Sequence, residues 1–238
     1  MEYLDLTLPS VAENLALDEA LLLHAEAGEG DEVLRFWEWH SPAVILGAGG
    51  RLAEDVDEVA CQGDQVPIFR RSSGGGTVLL GPGCLCYSLV LSYERDPALQ
   101  EIQSSFRFIL DRVRDGLLGI RPGVELAGTS DLAVAGRKCS GNSQQRKRRF
   151  LLHHGTILHA FDTKLTDRYL RMPARQPDYR LQRKHSEFII NLQTDSDELK
   201  SRLLATWDAA IKEDFWPKEA VRQLVESKYI QHQWTRRR

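Results

Sequence analysis

The chain has four cysteines, Cys61, Cys84, Cys86 and Cys139, and no C-x-x-C pair, so the usual zinc and dithiol-redox spacings are absent. No apolar run reaches the roughly 18 residues of a membrane span, and no signal peptide opens the sequence. These absences predict a cytoplasmic protein without a membrane partner. The G-x-x-x-x-G-K-[ST] phosphate loop and the G-x-G-x-x-G dinucleotide fingerprint are missing too. A formal net charge of -3 argues against the broad basic field of a nucleic-acid binder. No repeat, low-complexity tract or interdomain linker interrupts the chain. One domain over residues 1–238, with no C-terminal accessory domain, is therefore expected.

What is present is an ordinary globular composition, 42 % hydrophobic and 27 % charged, with length enough to bury a sizeable core. Ser10 with Glu13 predicts a capped helix over 10–25. Residues 33–39, 43–47 and 66–71 read as strands. Residues 77–80 and 85–92 read as two more, joined by the turn Gly81-Pro82-Gly83. A helix is predicted over 97–119, then a hairpin with its turn at Ala135-Gly136, then a strand over 150–161. Helices near 195–212 and 217–229 follow. Strands cluster without strict βαβ alternation, which predicts an α+β fold with a mixed, largely antiparallel β-sheet flanked by helices.

Three segments could carry chemistry. The run Arg70-Arg71-Ser72-Ser73-Gly74-Gly75-Gly76-Thr77 combines fixed charge with a backbone that a ligand can approach closely. A plain turn is the competing reading. In Gly136-Arg137-Lys138-Cys139-Ser140-Gly141-Asn142-Ser143-Gln144, a strand lysine lies among small residues. Such a lysine could hold a carboxylate or phosphate and offset charge growing on an acyl oxygen. Alternatively it faces solvent. His153-His154-Gly155-Thr156 is the third, and only one of two adjacent strand histidines can face a site. Asp131 is the carboxylate nearest Lys138 in sequence. It could orient the lysine or hold Mg²⁺, or simply belong to the turn.

In this order the segments resemble the lipoate–protein ligase family, whose catalytic domain is shared with biotin ligases and octanoyltransferases. Arg70-Arg71-Ser72-Ser73-Gly74-Gly75-Gly76 matches its R-R-x-S-G-G-G motif. Gly136 to Gly141 matches G-x-K-x-S-G, and His154-Gly155-Thr156 matches H-G-T. Ser130-Asp131-Leu132 stands where the family has Asn-Asp-Ile/Leu, and Asn14 to Leu22 resembles its first helix. The resemblance implies a biotin/lipoate ligase catalytic-domain fold. Lys138 would be catalytic. Arg70, Arg71, Ser73, Gly74, Gly75, Gly76, Thr77, Gly136, Ser140, Gly141, His154, Gly155 and Thr156 would bind the lipoyl or acyl-AMP group. Asp131 and Ser130 would serve the nucleotide side, with Asp131 the Mg²⁺ ligand. ATP and Mg²⁺ would act as substrates, with lipoate or octanoate as the acyl group and no tightly bound cofactor. The acceptors would be apo lipoyl domains, such as the glycine cleavage H protein and 2-oxoacid dehydrogenase E2. Acyl carrier protein and a separate accessory subunit are further partners that the resemblance admits.

The chain also departs from that pattern. Where ligases carry His-Asp and then Gly-Asn after the glycine motif, it has Leu80, Gly81, Gly83 and Cys84. One alternative is ATP-independent octanoyl or lipoyl transfer through a cysteine. The positions such transferases use, however, are Leu151 or the stretch Ala127-Gly128-Thr129. A second alternative is an inactive lipoate- or carrier-binding relative. The basic run Arg146-Lys147-Arg148-Arg149 is a candidate dock for an acidic protein partner.

Overall fold

The computed structural model describes residues 1–212 and 214–237. Among the described residues, eleven strands form two sheets. The larger runs β11-β1-β2-β6-β10-β9-β8-β7 and the smaller β4-β3-β5. In chain order the strands are β1 Glu2–Asp5, β2 Val33–Glu38, β3 Ala43–Leu46, β4 Ile68–Arg70, β5 Val78–Leu80 and β6 Cys84–Ser92. They continue as β7 Val124–Ala127, β8 Asp131–Val134, β9 Arg137–Arg146, β10 Phe150–Leu158 and β11 Ile211–Lys212. Pairing is antiparallel except where β1 meets β2 and β11 and where β3 meets β4, so the sheets are mixed and largely antiparallel.

Alternation along the central strands divides the core. Trp37, Cys86, Val90 and Leu152 face one side, where helix α1 (Val11–Ala27) and the small sheet pack. Phe36, Tyr87, Leu89, Leu151 and Cys139 face the other, under α4 (Ile102–Leu118) and α7 (Ser196–Thr206). α1 begins as its residues predict. The Ser10 hydroxyl accepts the Glu13 amide, and Gly28 at φ +83° ends the helix.

The two strands expected on either side of the Gly81-Pro82-Gly83 turn do not pair with each other. β5 pairs with β3, whereas β6 pairs with β2 and β10, so Gly81-Pro82-Gly83 carries the chain between sheets. Gly83 has φ +80°, and a Cβ there would lie 2.2 Å from the Ala160 carbonyl carbon. The helix predicted over 97–119 opens as a separate 3₁₀ turn, Pro97–Leu99, on the Asp96 cap. The one expected to reach 212 stops at Thr206, and Ile211–Lys212 instead pairs with β1. The last predicted helix is α8 (Lys218–Leu224) running into a π-helical turn at Val225–Tyr229, followed by α9 (His232–Thr235). The short helices α2 (Leu52–Asp55), α3 (Glu58–Gly63), α5 (Lys164–Tyr169) and α6 (His185–Phe188) complete the described chain. Among the described residues, no helix is long and apolar enough to cross a membrane.

Candidate active site

The β8–β9 hairpin carries Asp131 and Lys138. Ala135 and Gly136, both at positive φ, make its turn. Leu132 then pairs with Ser140 but Ala133 with Lys138, so Cys139 is the extra residue of a β-bulge. Lys138 projects toward Asp131, with Nζ 2.8 Å from Oδ1, and the Tyr179 hydroxyl donates to Oδ2 at 2.7 Å. Gly141 makes the room: a Cβ there would stand 2.5 Å from both Cε and Nζ of Lys138. The glycine thus accommodates the ammonium itself. Cys139 points through the sheet into the opposite core, where burial pushes its thiol up to about 12.

The glycine-rich loop leaves β4 and folds against the end of β3. The Arg71 amide donates to the Leu46 carbonyl, and the Ala48 amide to that of Ser73. Gly47 must be glycine, since a Cβ would fall 2.0 Å from the Gly75 oxygen. Arg71 borders the cavity, but its donors hold the loop. They reach Ser73 Oγ at 3.0 Å and the carbonyls of Gly74 and Gly76 at 2.5 and 2.9 Å. Burial without a carboxylate lowers this guanidinium to about 10. Gly75, at φ +81°, turns the loop, while Gly76 and Thr77 border the cavities.

Arg70, Ser73, Gly74, Gly75 and Gly136, all expected to bind substrate, border neither cavity. Arg70 is fully buried and directed behind the loop, where it donates to the carbonyls of Gly47, Gly50, Trp234 and Thr235. Alternation explains this: adjacent loop arginines leave the strand on opposite sides. Gly136 forms the hairpin turn, and its carbonyl accepts from Arg183.

Of the histidine pair, His154 faces the site. Its Nε2 lies 2.5 Å from Ser73 Oγ and its Nδ1 3.4 Å from Asp18 Oδ2, while Arg35 holds the other Asp18 oxygen at 2.5 Å. Burial opposes ionisation of Asp18, but Arg35 and His154 hold it below the ordinary carboxylate range. The order Asp–His–Ser resembles a nucleophile relay. Ser73, however, is buried and already accepts from Arg71 Nε, so the chain fixes the ring instead. His153 lies behind the strand against Tyr87 and Gln144, and burial lowers it to about 3.

Two cavities meet at Lys138. The inner one, about 140 Å³, is walled by Leu15, Trp37, Ile45, Leu80 and Tyr87. The outer one, about 440 Å³, carries Arg171, Arg175, Arg180 and His185. Gly76, Thr77, Ser130, Lys138, Gly141 and Thr156 border both. His154 and Gly155 border the inner cavity, whereas Asp131 and Ser140 border the outer. Asp131 already serves Lys138 and Tyr179, and no cluster of three or more His, Cys, Asp or Glu suited to a metal occurs among the described residues. One engaged carboxylate does not make a resident metal site. It fits Mg²⁺ only as an ion carried by substrate phosphates.

Sequence reasoning did not find Asp18 or Tyr179, and it placed Asn142 in the candidate lysine segment without a role. Asp18 was visible as an acid inside an apolar helical stripe. Asn142 closes the wall, accepting from Tyr87 and donating to Ser130 O and Ser140 Oγ. Tyr179 comes from a distant segment and carries no local signal.

A cation at the junction of an apolar and a cationic cavity, on a mixed sheet, defines a domain suited to acyl-group chemistry. Residues 10–206 match the family model of the lipoyl protein ligase A/B catalytic domain, and the chain belongs to that family. It is 30 % identical over 254 residues to octanoyltransferase LipM of Carboxydothermus hydrogenoformans, covering 94 % of each chain. The structure of lipoate-protein ligase A bound with ATP superposes with a TM-score of 0.82 at 26 % identity, covering 99 % of this chain and 98 % of that one. The bi-partite lipoate protein ligase of Thermoplasma acidophilum, described with its E2 lipoyl domain, has the same fold. Its TM-score is 0.82 at 22 % identity, with 99 % of this chain and 95 % of that chain covered.

Proposed function

We propose that the protein attaches a lipoyl or octanoyl group to a lysine of an apo lipoyl domain, activating the acid with ATP. The observation that carries this reading is the position of Lys138, between a narrow apolar chamber and a larger cationic one. The acyl chain would fill the inner cavity, with its carboxyl beside Lys138 and the nucleotide in the outer cavity. The carboxylate oxygen attacks the α-phosphorus of ATP and pyrophosphate leaves. The acceptor amine then attacks the acyl carbon, AMP departs, and the amide forms with release of a proton. Lys138 offsets the negative charge on the acyl oxygen and on the departing phosphate. Arginines of the outer cavity suit the phosphates. Mg²⁺ would enter with the nucleotide.

Similarity to octanoyltransferase LipM supports a second reading, transfer of octanoyl from a carrier protein without ATP. The thiols weigh against a cysteine-bound intermediate. Cys139 faces the far core, and Cys86, in the inner wall, is pushed well up by burial.

The test supplies apo lipoyl domain with either lipoate and ATP-Mg or octanoyl-acyl carrier protein, and reads the product by mass. Modification with the ATP mixture alone is expected. Modification only from the carrier replaces the ligase reading with the transferase. Lipoate binding without modification in either mixture would mark a non-catalytic binder.

A further inference from the structure

We propose that residues 228–235 are a positioning element for the glycine loop, so that the acyl site is held from behind by the C-terminal segment. Two clamps make the connection. In the first, the buried carboxylate of Glu19 receives Lys228 Nζ at 2.8 and 2.7 Å, the Tyr229 hydroxyl at 2.7 Å and the Gln145 amide at 3.3 Å. The other end of Gln145 accepts the Ser72 hydroxyl at 2.5 Å. The loop is therefore tied through β9 to the C-terminal segment. In the second, Arg70 spans two pieces of backbone. Its Nη1 donates to the carbonyls of Gly47 and Gly50 at 2.8 and 2.7 Å, and its Nη2 to that of Thr235 at 2.7 Å. The Trp234 indole returns its N–H to the Arg70 carbonyl at 2.8 Å.

The clamps are joined, because the Lys228 ammonium lies 4.4 Å from the Trp234 ring centre. The segment is not a main part of the core. Between residues 218 and 237, Val221 and Tyr229 are the buried hydrophobics among the described residues. What it supplies is partners for buried charge. If it moved away, Glu19 and Arg70 would lose bonds in a desolvated setting, and those losses would fall on the loop they hold.

The inference rests on the proposed reading of the loop as a wall of the acyl site, and its test separates the two. Full-length Lys228→Met, Trp234→Phe and the double variant are compared with the parent by hydrogen exchange. Trp234→Phe keeps an aromatic ring while removing the indole donor, which limits simple misfolding. The reporters are residues 46–51 and 70–77, which contain the Ala48 and Arg71 amides bonded between loop and strand. Exchange there is expected to rise about tenfold in the double variant, with Phe150–Leu158 unchanged. The KM for lipoate should rise at least fivefold with kcat within twofold. Unaltered exchange in the loop, or an equal rise in Phe150–Leu158, overturns the proposal. An unchanged KM beside a loosened loop overturns its link to substrate. Exchange needs no substrate, so it judges the clamps even if neither acyl donor is used.

Discussion

At the scale of single residues, Lys138 and Gly141 form one device. Lys138→Ala should cut acyl transfer by at least about a hundredfold, the usual consequence of losing a charge-stabilising donor, with the melting temperature little changed. Gly141→Ala should give a milder version. Its methyl would displace the tip of a flexible side chain rather than backbone, so stability should hold while kcat falls. Steady-state kinetics beside a thermal melt checks both. If Gly141→Ala keeps full kcat, the ammonium does not need its present position. His153 gives a pH signature. Its folded pKa of about 3 lies below the unfolded value of about 6.5, so the unfolded chain binds the extra proton between them. Its contribution is complete above pH 6.5 and is lost as pH falls toward 3, by at most about 1.4 kcal/mol per unit. Urea midpoints from pH 4 to 7 should therefore fall less steeply for His153→Gln than for the parent. Parallel slopes would place the effect on other groups.

At the scale of elements, the β8–β9 hairpin was legible because its turn, small residues and charged pair fall within one short stretch. Ser10 with Glu13 announced the start of α1 for a similar reason, since caps are local. Connections were less legible. β5 and β6 look like a hairpin from their glycine–proline turn, and only the partners across space separate them into two sheets. β1 and β11 pair at opposite ends of the chain, and β11 has two residues, so no periodicity could mark it. Arg70 and Arg71 show the same limit within the site. Composition named both, and burial then sent one behind the loop. The basic run is another instance, for Arg146 reaches the carbonyls of Leu99 and Gln100, and Glu26 accepts the amides of Arg148 and Arg149. The fit of the loop against β3 makes a prediction at this scale. Gly47→Ala would drive a methyl into the Gly75 carbonyl, which is backbone and cannot rotate away. Transfer should drop at least tenfold, with the main sheet intact by circular dichroism. Parental activity would show that the loop can sit elsewhere.

At the scale of the molecule, the large sheet is a partition. The Lys138 and His154 side chains lie on one face with the cavities, while the Cys139 and His153 side chains lie on the other with the α4 core, the Cys139 residue also bordering the outer cavity. All four cysteines are buried, Cys86 alone among them lining the inner cavity. The native protein should therefore resist iodoacetamide. Cys86→Ser and Cys139→Ser should keep ATP-dependent transfer within about fivefold. A hundredfold loss in Cys86→Ser with a carrier-protein donor would instead identify that thiol as the acyl acceptor. The family and the mixed sheet could be read from motifs spread along the chain. The partition could not, because it depends on which strands are neighbours.

The reach of Arg70 to the carbonyls of Trp234 and Thr235 also bears on biosynthesis. A chain leaving the ribosome exposes Arg70 when most of the sequence is still unmade. At about 5–20 residues per second, the guanidinium waits many seconds for its distant acceptors. The sheet can begin to assemble in that interval, but the loop cannot take its final form until residue 235 has emerged. Catalytic competence should thus arise after translation of this stretch, and a ribosome stalled before it would carry a folded body with an unfinished site.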